Sequence, residues 1–373
     1  MLNTMPMNIC FSVDNNYVKY LLITAHSILQ EGAKNPDHPV YNFFVIADGL
    51  SDQNQKLLKN FELQENKICK CKFTYIQASE DLFKRGKTYG ENLNYATYLR
   101  LLIPDLLPNL KGNVLYLDVD LICQDDLAEL INMDLGDNIL AASPDPGVAV
   151  FSKKITFTPR KLNKLPLTLK YKRNEFYINA GVLLINLDNW RKNDVTKKCL
   201  HYLQNYKVNL CDQDLLNIVC KGRISFLNPT WNFMTSLTMD KVVRFYEKHK
   251  NVDVINPCAD FVKIDDFQNI KIIHYATKPK PWNLVACEDG VIITLQDKLV
   301  DIWYSVLKTT PLIESQNINP RIWFSEEGKV ILRAIDNLGV WTNIRYNKSQ
   351  RRWKKTKMFF AVLLILNIIA LLL

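Results

Sequence analysis

Residues 114–120, Val-Leu-Tyr-Leu-Asp-Val-Asp, join a continuous apolar run directly to two carboxylates. The apolar run predicts a strand over 113–119 in a sheet that is covered on both faces. Side chains at positions i and i+2 of a strand point to the same face, so we expect Asp118 and Asp120 to project together from its carboxyl end. In open α/β sheets, ligands bind at that edge.

Two neighbouring carboxylates repel each other, and burial adds to the cost of their charges. A divalent cation relieves both costs, and oxygen ligands suit Mg²⁺ or Mn²⁺. The alternative is a turn with two solvated acids, since an isolated Asp-x-Asp is common. His274, in the apolar run Ile-Ile-His-Tyr at 272–275, is the candidate third ligand, although such a histidine more often belongs to a core. An imidazole beside the carboxylates favours Mn²⁺.

Strands alternate with helices along the chain, which predicts an α/β fold with a mostly parallel central sheet flanked by helices. The predicted strands cover 8–13, 41–47, 72–76, 113–119, 139–143 and 181–187. The predicted helices cover 17–30, 52 to about 63 with Ser51 as N-cap, 94–103 with its end before Pro104, a short helix near 125–131, 188–206 and 212–220.

Three further polar clusters lie at the ends of predicted elements. Asp14-Asn15-Asn16 follows the first strand and fits either a nucleoside pocket or an Asx turn before the next helix. In Asn179-Ala180-Gly181, the glycine would let a ligand approach the backbone closely. Asp212-Gln213-Asp214 opens a helix, where Asp212 is also a candidate N-cap.

Several common catalytic motifs are missing from the sequence. It contains no P-loop, no G-x-S-x-G, no H-E-x-x-H and no G-x-G-x-x-G. With only 12 glycines, a glycine-built phosphate cradle is not expected. Any phosphate charge would therefore be neutralised by a metal and by Lys280.

Length and composition bound the class of protein. The chain has 373 residues, 48% hydrophobic and 23% charged, which allows one large domain with appendages or two domains and excludes a disordered, collagenous or multi-span membrane protein. Its nine cysteines are scattered without paired zinc spacing, which predicts buried, reduced thiols in a cytosolic protein. The first residues lack the pattern of a secretory signal.

Positive charge is concentrated near the end of the sequence. The net charge is +9, and seven basic residues without an acid lie within 341–357, followed by the apolar stretch 358–373. We expect a near-neutral body that binds no nucleic acid and a tail that meets an anionic membrane surface. The apolar stretch is shorter than the roughly 20 residues that span a bilayer, which favours an in-plane or partly inserted anchor over a spanning tail or an oligomer helix.

A second basic segment interrupts the body. Residues 146–174 contain eight lysines and arginines and no acid. The segment fits either a solvated surface insertion or a flap that meets an anionic acceptor.

Six blocks in consistent order over about 8–285 resemble glycosyltransferase family 8, a family of retaining, metal-dependent enzymes that use UDP-sugars. The likeness is greatest to bacterial lipopolysaccharide α-galactosyl- and α-glucosyltransferases. The blocks are Phe-Ser-Val-Asp14-Asn-Asn16-Tyr, Tyr95-Ala-Thr-Tyr-Leu-Arg100-Leu, Val-Leu-Tyr-Leu-Asp118-Val-Asp120, Tyr177-Ile-Asn179-Ala180-Gly181-Val, Asp212-Gln213-Asp214-Leu-Leu-Asn and His274-Tyr-Ala-Thr-Lys-Pro-Lys280-Pro-Trp282.

The resemblance implies roles for individual residues. The implied metal ligands are Asp118, Asp120 and His274. The implied donor-binding residues are Ser12, Asp14 and Asn16 for uridine, together with Arg100, Asp118, Val119, Asn179, Ala180 and Lys280. The implied groups around the reacting sugar are Gln213, Asp212, Asp145 and Lys280. One position departs from the family pattern, since Thr277 stands where the family has a glycine three residues after the histidine.

The resemblance also implies a fold and a reaction. It implies a GT-A-type nucleotide-sugar-binding fold and transfer of galactose or glucose from a UDP-sugar to a lipopolysaccharide-core or other glycolipid acceptor, with Mn²⁺ or Mg²⁺. We expect a catalytic domain over 8–285, a helical extension over 286–340 and a membrane-association tail over 341–373, at the cytoplasmic face of the inner membrane. The alternatives are a glycogenin-like polysaccharide or protein glucosyltransferase, an inactive UDP-sugar-binding module and a nucleotidyltransferase.

Overall fold

The computed structural model describes most of the first 312 residues. The described residues are 6–84, 95–148, 154–161, 163–170, 176–238, 242–243, 246–247, 258, 261, 264, 266–277, 279–282, 285–288 and 291–312. The tail predicted at 341–373 lies outside them, as does most of the extension predicted at 286–340. The domain boundaries at 285 and 340 stay predictions.

Fifteen strands lie in the described part of the chain. In chain order they are β1 (Met7–Ser12), β2 (Tyr41–Ala47), β3 (Cys71–Gln77), β4 (Asn113–Leu117), β5 (Leu121–Cys123), β6 (Leu140–Pro144), β7 (Lys154–Pro159), β8 (Leu167–Lys170), β9 (Ile178–Asn186), β10 (Tyr206–Lys207), β11 (Ile224–Phe226), β12 (Phe233–Met234), β13 (Ile272–His274), β14 (Val285–Glu288) and β15 (Val291–Thr294).

Seven strands form the central sheet in the order β11-β6-β9-β4-β1-β2-β3. β9 runs antiparallel to both of its neighbours, β4 and β6, and the other four pairs are parallel. The predicted mostly parallel sheet is therefore confirmed. Eight of the nine residues of β9 are buried, which suits a strand at the middle of a sheet covered on both faces.

Helices cover both faces of this sheet. The α-helices are Val18–Gly32, Asp52–Glu65, Ile103–Leu106, Ala128–Ile131, Leu187–Lys192, Val195–Asn205, Cys211–Val219 and Asp297–Thr309, and the longest 3-10 helix is Ala96–Leu102. On one face, Phe11 stacks on Phe43 at 5.9 Å between ring centroids, and Phe61 of the second helix packs edge-on against Phe73 at 5.6 Å. On the other face, Cys10 belongs to one core cluster with residues of Ala96–Leu102 and Cys211–Val219.

Several predicted boundaries need correction. β4 ends at Leu117, before the two acids, and β9 begins at Ile178 instead of at 181. The segment predicted to stop before Pro104 continues, because Pro104 lies in the first turn of a second helix, where its missing N–H group has no partner to lose. The helix predicted over 188–206 is two helices, separated at Asp194, whose φ of 52° breaks the helical path.

Two local predictions are confirmed. Ser51 is the N-cap of Asp52–Glu65, since its side chain accepts a hydrogen bond from the Asn54 amide at 3.2 Å. The eight cysteines whose side chains the structure describes are all buried and form no disulfide, in agreement with the prediction of buried, reduced thiols.

A second, three-stranded sheet has the order β12-β13-β5. β13 is parallel to β12 and antiparallel to β5, and His274 pairs in register with Leu121. Since Leu121 directly follows Asp120, this pairing brings the histidine beside the two acids.

The described part of the segment 146–174 forms β7 and β8, which join β10 in a three-stranded antiparallel sheet. Phe157, Leu169 and Ile218 make a small core cluster of their own. The described part of the segment is thus a folded sheet that packs on the helix Cys211–Val219. The two interpretations, a solvated insertion and a flap that meets an anionic acceptor, both stay predictions.

The chain divides into two compact units, Met1–Thr277 with Ser305–Asn317, and Lys278–Tyr304 with Ile318–Leu373. The first contains the central sheet and the sheet of β12, β13 and β5. In the second, the described residues include the antiparallel pair of β14 and β15. Within the described residues, no helix has both the length and the apolar character that crossing a membrane requires.

Candidate active site

The backbone of residues 118–120 is held from three directions at the end of β4. The Asp118 amide donates to the Gly181 carbonyl of β9 at 2.8 Å, and the Tyr275 amide donates to the Asp120 carbonyl at 2.9 Å. The Thr24 hydroxyl, from the first helix, donates to the Val119 carbonyl at 2.9 Å. The two acids converge because of this anchored turn and not, as the sequence argument assumed, because of alternation within a strand.

Asp118, Asp120 and His274 form a compact cluster. Each offers one ligand atom, and these atoms lie within 4.8 Å of one another. His274 Nε2 lies 3.3 Å from an Asp120 oxygen and 3.7 Å from Asp118 Oδ2. The imidazole is buried while the carboxylates are partly exposed, so the cluster opens on the side of the acids. Two carboxylate oxygens and one imidazole nitrogen at this spacing fit a divalent cation such as Mn²⁺.

A chain of hydrogen bonds fixes which histidine nitrogen faces the acids. The Gly181 amide donates to Asn179 Oδ1 at 2.9 Å, so that atom is an acceptor and takes a second hydrogen bond from Asn232 Nδ2 at 3.0 Å. The oxygen of Asn232 therefore faces His274 Nδ1, at 2.8 Å. Because an amide oxygen only accepts, Nδ1 carries a proton, so in the neutral imidazole Nε2 is the nitrogen whose lone pair faces the cluster, as a metal ligand must.

Gly181 serves this packing. A Cβ atom at this position would lie 2.8 Å from His274 Nδ1, 2.9 Å from Asp118 Oδ2 and closer still to the imidazole Cε1. The sequence argument expected the glycine to admit a ligand. The structure corrects this, because the close approach belongs to the histidine ring.

One oxygen of Asp118, Oδ1, accepts hydrogen bonds from two protein groups. Oδ1 accepts hydrogen bonds from Arg100 at 2.9 Å and from the Tyr116 hydroxyl at 2.8 Å, which in turn lies 2.9 Å from the Ser12 hydroxyl. Burial raises the pKa of Tyr116 well above its usual value, with a lowering from Arg100 and a further rise from Asp118, so the phenol stays a donor. Oδ2 is thereby oriented toward His274.

Arg100 is an internal cation. Its side chain is 5% exposed, pairs with Asp118 and with Asp212, and lies over the Tyr116 ring with 4.3 Å from the guanidinium carbon to the ring centroid. Burial lowers its pKa, but the two carboxylates raise it further, so the net pKa is above its ordinary value. The donors of Arg100 meet protein groups here, and its contact with a sugar donor stays a prediction.

Asp212 is buried behind this arginine. Oδ1 accepts from the Thr97 hydroxyl at 2.5 Å, and Oδ2 lies 3.0 Å from Arg100 Nε without a hydrogen bond of good geometry among the described residues. Burial raises the pKa of Asp212 to about 6, against the lowering from Arg100 and Thr97. Asp212 is not the N-cap. That position is Leu210, and Asp214 accepts the amides of Asn209 and Leu210 instead.

A third group of polar side chains joins β6, β9 and the helix Cys211–Val219. Gln213 Oε1 accepts from Asn179 Nδ2 and from the Ala180 amide, each at 3.1 Å, and Gln213 Nε2 donates to Asp145 Oδ2 at 3.1 Å. Asp145 Oδ1 accepts the amides of Gly147 and Val148. Four residues predicted to meet the donor or the reacting sugar therefore form one cluster, which the Asn179–Asn232 bond links to His274: Asp145, Asn179, Ala180 and Gln213.

The predicted uridine residues lie at the end of β1. Asp14 Oδ1 accepts the amides of Asn16 at 2.7 Å and Tyr17 at 3.0 Å, which is the Asx turn that the sequence left as an alternative. Burial raises the pKa of Tyr17, and the charges of Asp120 and Asp14 raise it further. The turn is therefore close enough to Asp120 for the two side chains to interact electrostatically. The uridine assignment of Ser12, Asp14 and Asn16 stays a prediction, as does that of Val119. Lys280 belongs to the second unit, and its role also stays a prediction.

Sequence reasoning missed Asn232, Thr97 and Tyr116 as parts of the site. Asn232 follows the Pro229-Thr-Trp run, where no motif marks it, and Thr97 looks like an ordinary helical residue. Tyr116 lies within the continuous apolar run that predicts β4, so the sequence marks it only as a strand residue. Its position two residues before Asp118 was the one available signal, since it implies the same face of the strand.

We expect Gly181→Ala to weaken Mn²⁺ binding about 10- to 100-fold, because the added methyl displaces the histidine ring and Asp118. Titration of the purified protein with Mn²⁺, followed by electron paramagnetic resonance, measures this. Val182→Ala is the matched control, since its side chain lies in the core on the opposite face of β9. It should lower stability and leave affinity unchanged, and equal affinity losses in both variants would contradict the packing argument.

The raised pKa of Asp212 predicts a pH-dependent difference in stability between the wild type and Asp212→Asn. The folded state holds the Asp212 proton up to about pH 6, whereas the unfolded chain releases it near 3.8, so the wild type loses stability relative to the variant as pH rises between these values. Urea unfolding from pH 4 to 7 should show the difference shrinking or reversing by about 3 kcal/mol in total. A difference that grows with pH would mean that the Arg100 ion pair outweighs burial.

The comparisons with known proteins identify the family of the chain. The sequence profile of glycosyl transferase family 8 matches residues 8–286. The lipopolysaccharide 1,3-galactosyltransferase of Salmonella typhimurium is 27% identical over 74% of this chain and 73% of its own, and the lipopolysaccharide glucosyltransferase WaaO of Escherichia coli is 26% identical over 84% and 82%.

Among solved structures, the galactosyltransferase LgtC in complex with donor and acceptor sugar analogues has a TM-score of 0.55 and 26% identity, covering 74% of this chain and 89% of LgtC. The GT-A-type α/β fold expected from the sequence is thereby supported for the body of the chain. Because the profile match covers well over half of the chain, the chain belongs to glycosyl transferase family 8 and is a retaining glycosyltransferase.

Proposed function

We propose that this glycosyltransferase transfers galactose or glucose from a UDP-sugar to a sugar hydroxyl of a lipopolysaccharide-core or similar glycolipid acceptor, with retained configuration and with Mn²⁺ as the preferred cation. The single observation that supports it most is the convergence of Asp118, Asp120 and His274, whose ligand atoms lie within 4.8 Å of one another. Relatives named as lipopolysaccharide galactosyl- and glucosyltransferases support the hexose and the acceptor class.

A cation bound at this cluster would supply positive charge beside the two phosphates of the sugar nucleotide. The protein's part is to orient the ligand atoms, and Arg100 does so for Asp118 by holding its other oxygen. Thr277, three residues after His274, has a buried hydroxyl without a hydrogen-bond partner among the described residues. We infer that this hydroxyl donates to a phosphate oxygen, which would suit a threonine in place of the family's glycine.

The surroundings of the reacting sugar favour attack from the same face as the departing UDP. A double displacement needs a carboxylate nucleophile on the opposite face. Asp212 is a poor candidate, since it is 3% exposed and turned toward Thr97 and Arg100. Gln213 offers only a neutral amide. As the bond from the anomeric carbon to phosphate breaks, the acceptor oxygen bonds to that carbon and its proton passes to the leaving phosphate, while the Gln213 oxygen stabilises the cationic centre.

We expect Asp120→Ala to lower UDP-sugar turnover about 1000-fold while the folded protein stays intact, since removing one of two neighbouring carboxylates relieves their repulsion. Release of UDP from a panel of UDP-sugars with Mn²⁺, measured with and without a sugar acceptor, tests this and identifies the donor. Asp137→Ala, the same change at an exposed acid, is the control and should keep full activity.

The same assay separates the proposal from its alternatives. A catalytically inactive binding module would release no UDP even slowly, and a nucleotidyltransferase would release pyrophosphate. Transfer to glycogen or to a protein with no transfer to glycolipid would favour the glycogenin-like alternative. A covalent sugar adduct trapped on Gln213 or Asp212 would overturn the same-face mechanism and leave the transferase assignment intact.

For location, we propose the cytoplasmic face of the inner membrane, on the basis of the basic stretch 341–357 and the apolar stretch 358–373. Truncation after Asn347 should preserve turnover on a soluble acceptor and lower the fraction of protein that sediments with membranes. A truncated protein that sediments as fully as the intact chain would rule out the tail as the main anchor.

A further inference from the structure

Ser12, Tyr116 and Asp118 form a chain of side chains in which the direction of each hydrogen bond can be assigned. Asp118 Oδ1 accepts from the Arg100 guanidinium at 2.9 Å, in an ion pair, so this oxygen carries no proton. The Tyr116 hydroxyl lies 2.8 Å from the same oxygen and therefore donates its single hydrogen there. Since the phenol has no second hydrogen, the Ser12 hydroxyl, 2.9 Å away, is the donor in its contact with Tyr116.

The hydrogen of the Ser12 hydroxyl is thus committed to the protein interior. Ser12 is the last residue of β1 and is partly exposed, whereas Tyr116 is fully buried. The serine oxygen keeps only lone pairs for a group that arrives from solvent. Toward a ligand, it can therefore accept a hydrogen bond but cannot donate one while the chain to Asp118 is intact.

The strand order places Ser12 on one side of the metal-ligand cluster and Gln213 on the other. β1 and β9 are the two neighbours of β4, and Cys10 of β1 pairs in register with Tyr116 of β4. Ser12, two residues after Cys10, is therefore level with Asp118, while Gln213 is bonded to β9. A sugar nucleotide with its diphosphate at the cluster extends in both directions along this edge of the sheet. With the sugar beside Gln213, its nucleoside lies at Ser12.

We propose that Tyr116 is a positioning residue that makes Ser12 an obligate hydrogen-bond acceptor toward the nucleoside of the sugar donor. The inference deepens the proposed function and rests on it. The group that fits Ser12 is a nucleoside N–H or O–H, since a phosphate oxygen only accepts. Uracil offers one such group, its N3–H, and the ribose offers two hydroxyls. A ligand with an acceptor in place of that donor would face the serine lone pairs and bind more weakly, because neither group could pair.

The test compares ligands in which one nucleoside donor is replaced by an acceptor. CDP has an unprotonated ring nitrogen where UDP has the N3–H, and the 2′-fluoro and 3′-fluoro analogues of UDP each replace one ribose hydroxyl. Dissociation constants are measured by calorimetry on the full chain with Mn²⁺. The wild type should bind one of these three analogues about 5- to 10-fold more weakly than UDP, and the analogue concerned identifies the donor that Ser12 accepts.

Two variants test the two ends of the chain. Ser12→Ala should abolish the preference for UDP over that analogue and leave the affinity for inorganic pyrophosphate unchanged. Tyr116→Phe should abolish the same preference, because the freed serine hydroxyl can turn and donate to the acceptor. The ratio of two dissociation constants in one protein cancels any shared change in metal affinity at Asp118.

Tyr41→Phe is the matched control for the tyrosine variant. Tyr41 is also fully buried, and its hydroxyl lies 3.4 Å from an acid, Asp126. It begins β2, which runs parallel to β1, so it lies at the opposite edge of the sheet from Ser12. This variant should keep the preference of the wild type.

Four results would overturn the proposal. They are equal affinity of the wild type for UDP and all three analogues, an unchanged preference in Ser12→Ala, an unchanged preference in Tyr116→Phe, and equal losses of UDP and pyrophosphate affinity in Ser12→Ala. Release of UDP from UDP-hexoses is measured in parallel on the unsubstituted protein. Binding of UDP without such release would refute the proposed function, while the ligand ratios would still decide the direction of the serine hydrogen bond. Failure to bind UDP at all would refute both.

Discussion

The hydrogen bond from His274 Nδ1 to Asn232 is the contact on which the chemistry of this site depends. In the other tautomer, the imidazole would present an N–H group to the two carboxylates, and the cluster would not be a ligand set. The direction of the bond is set by the backbone N–H of Gly181, through two asparagine side chains. Strand β9, in the interior of the central sheet, thus sets the tautomer of a histidine that lies in another sheet.

A second constraint is the group of charged side chains around the buried Arg100. Asp118 and Asp212 both face Arg100, so these two acids share one permanent cation, while Asp120 faces His274. Arg100 is satisfied on several sides at once by Thr97, Ala180 and Asp118. Asp118 Oδ2 and Asp120 lie on the open side of the cluster, where their paired negative charge would favour a divalent cation.

The sequence predicted the parts of this site that are encoded locally. The acids after β4, the histidine in β13 and the helix-opening Gln213 stand beside apolar runs, so their places at strand and helix ends followed from spacing. The partners that orient them were not predictable in this way. Asn232 meets His274, and Arg100 meets Asp212, only after distant segments pack, and periodicity contains no information on such pairings. The same limit applies to Gly181. The sequence predicted a close approach to its backbone, but it did not show that the approaching group is the His274 ring and not a ligand.

Because His274 reaches the two acids only through the pairing of β13 with β5, the set of three metal ligands depends on segments from both ends of the first unit. The two acids are placed by β4 and β9, but the imidazole arrives only when a late segment of the chain adds to the short strand that follows Asp120. An ion held by all three ligands would therefore act as a clasp between early and late parts of the polypeptide. By mass action, a higher concentration of that ion would oppose detachment of β13 and stabilise the assembled fold.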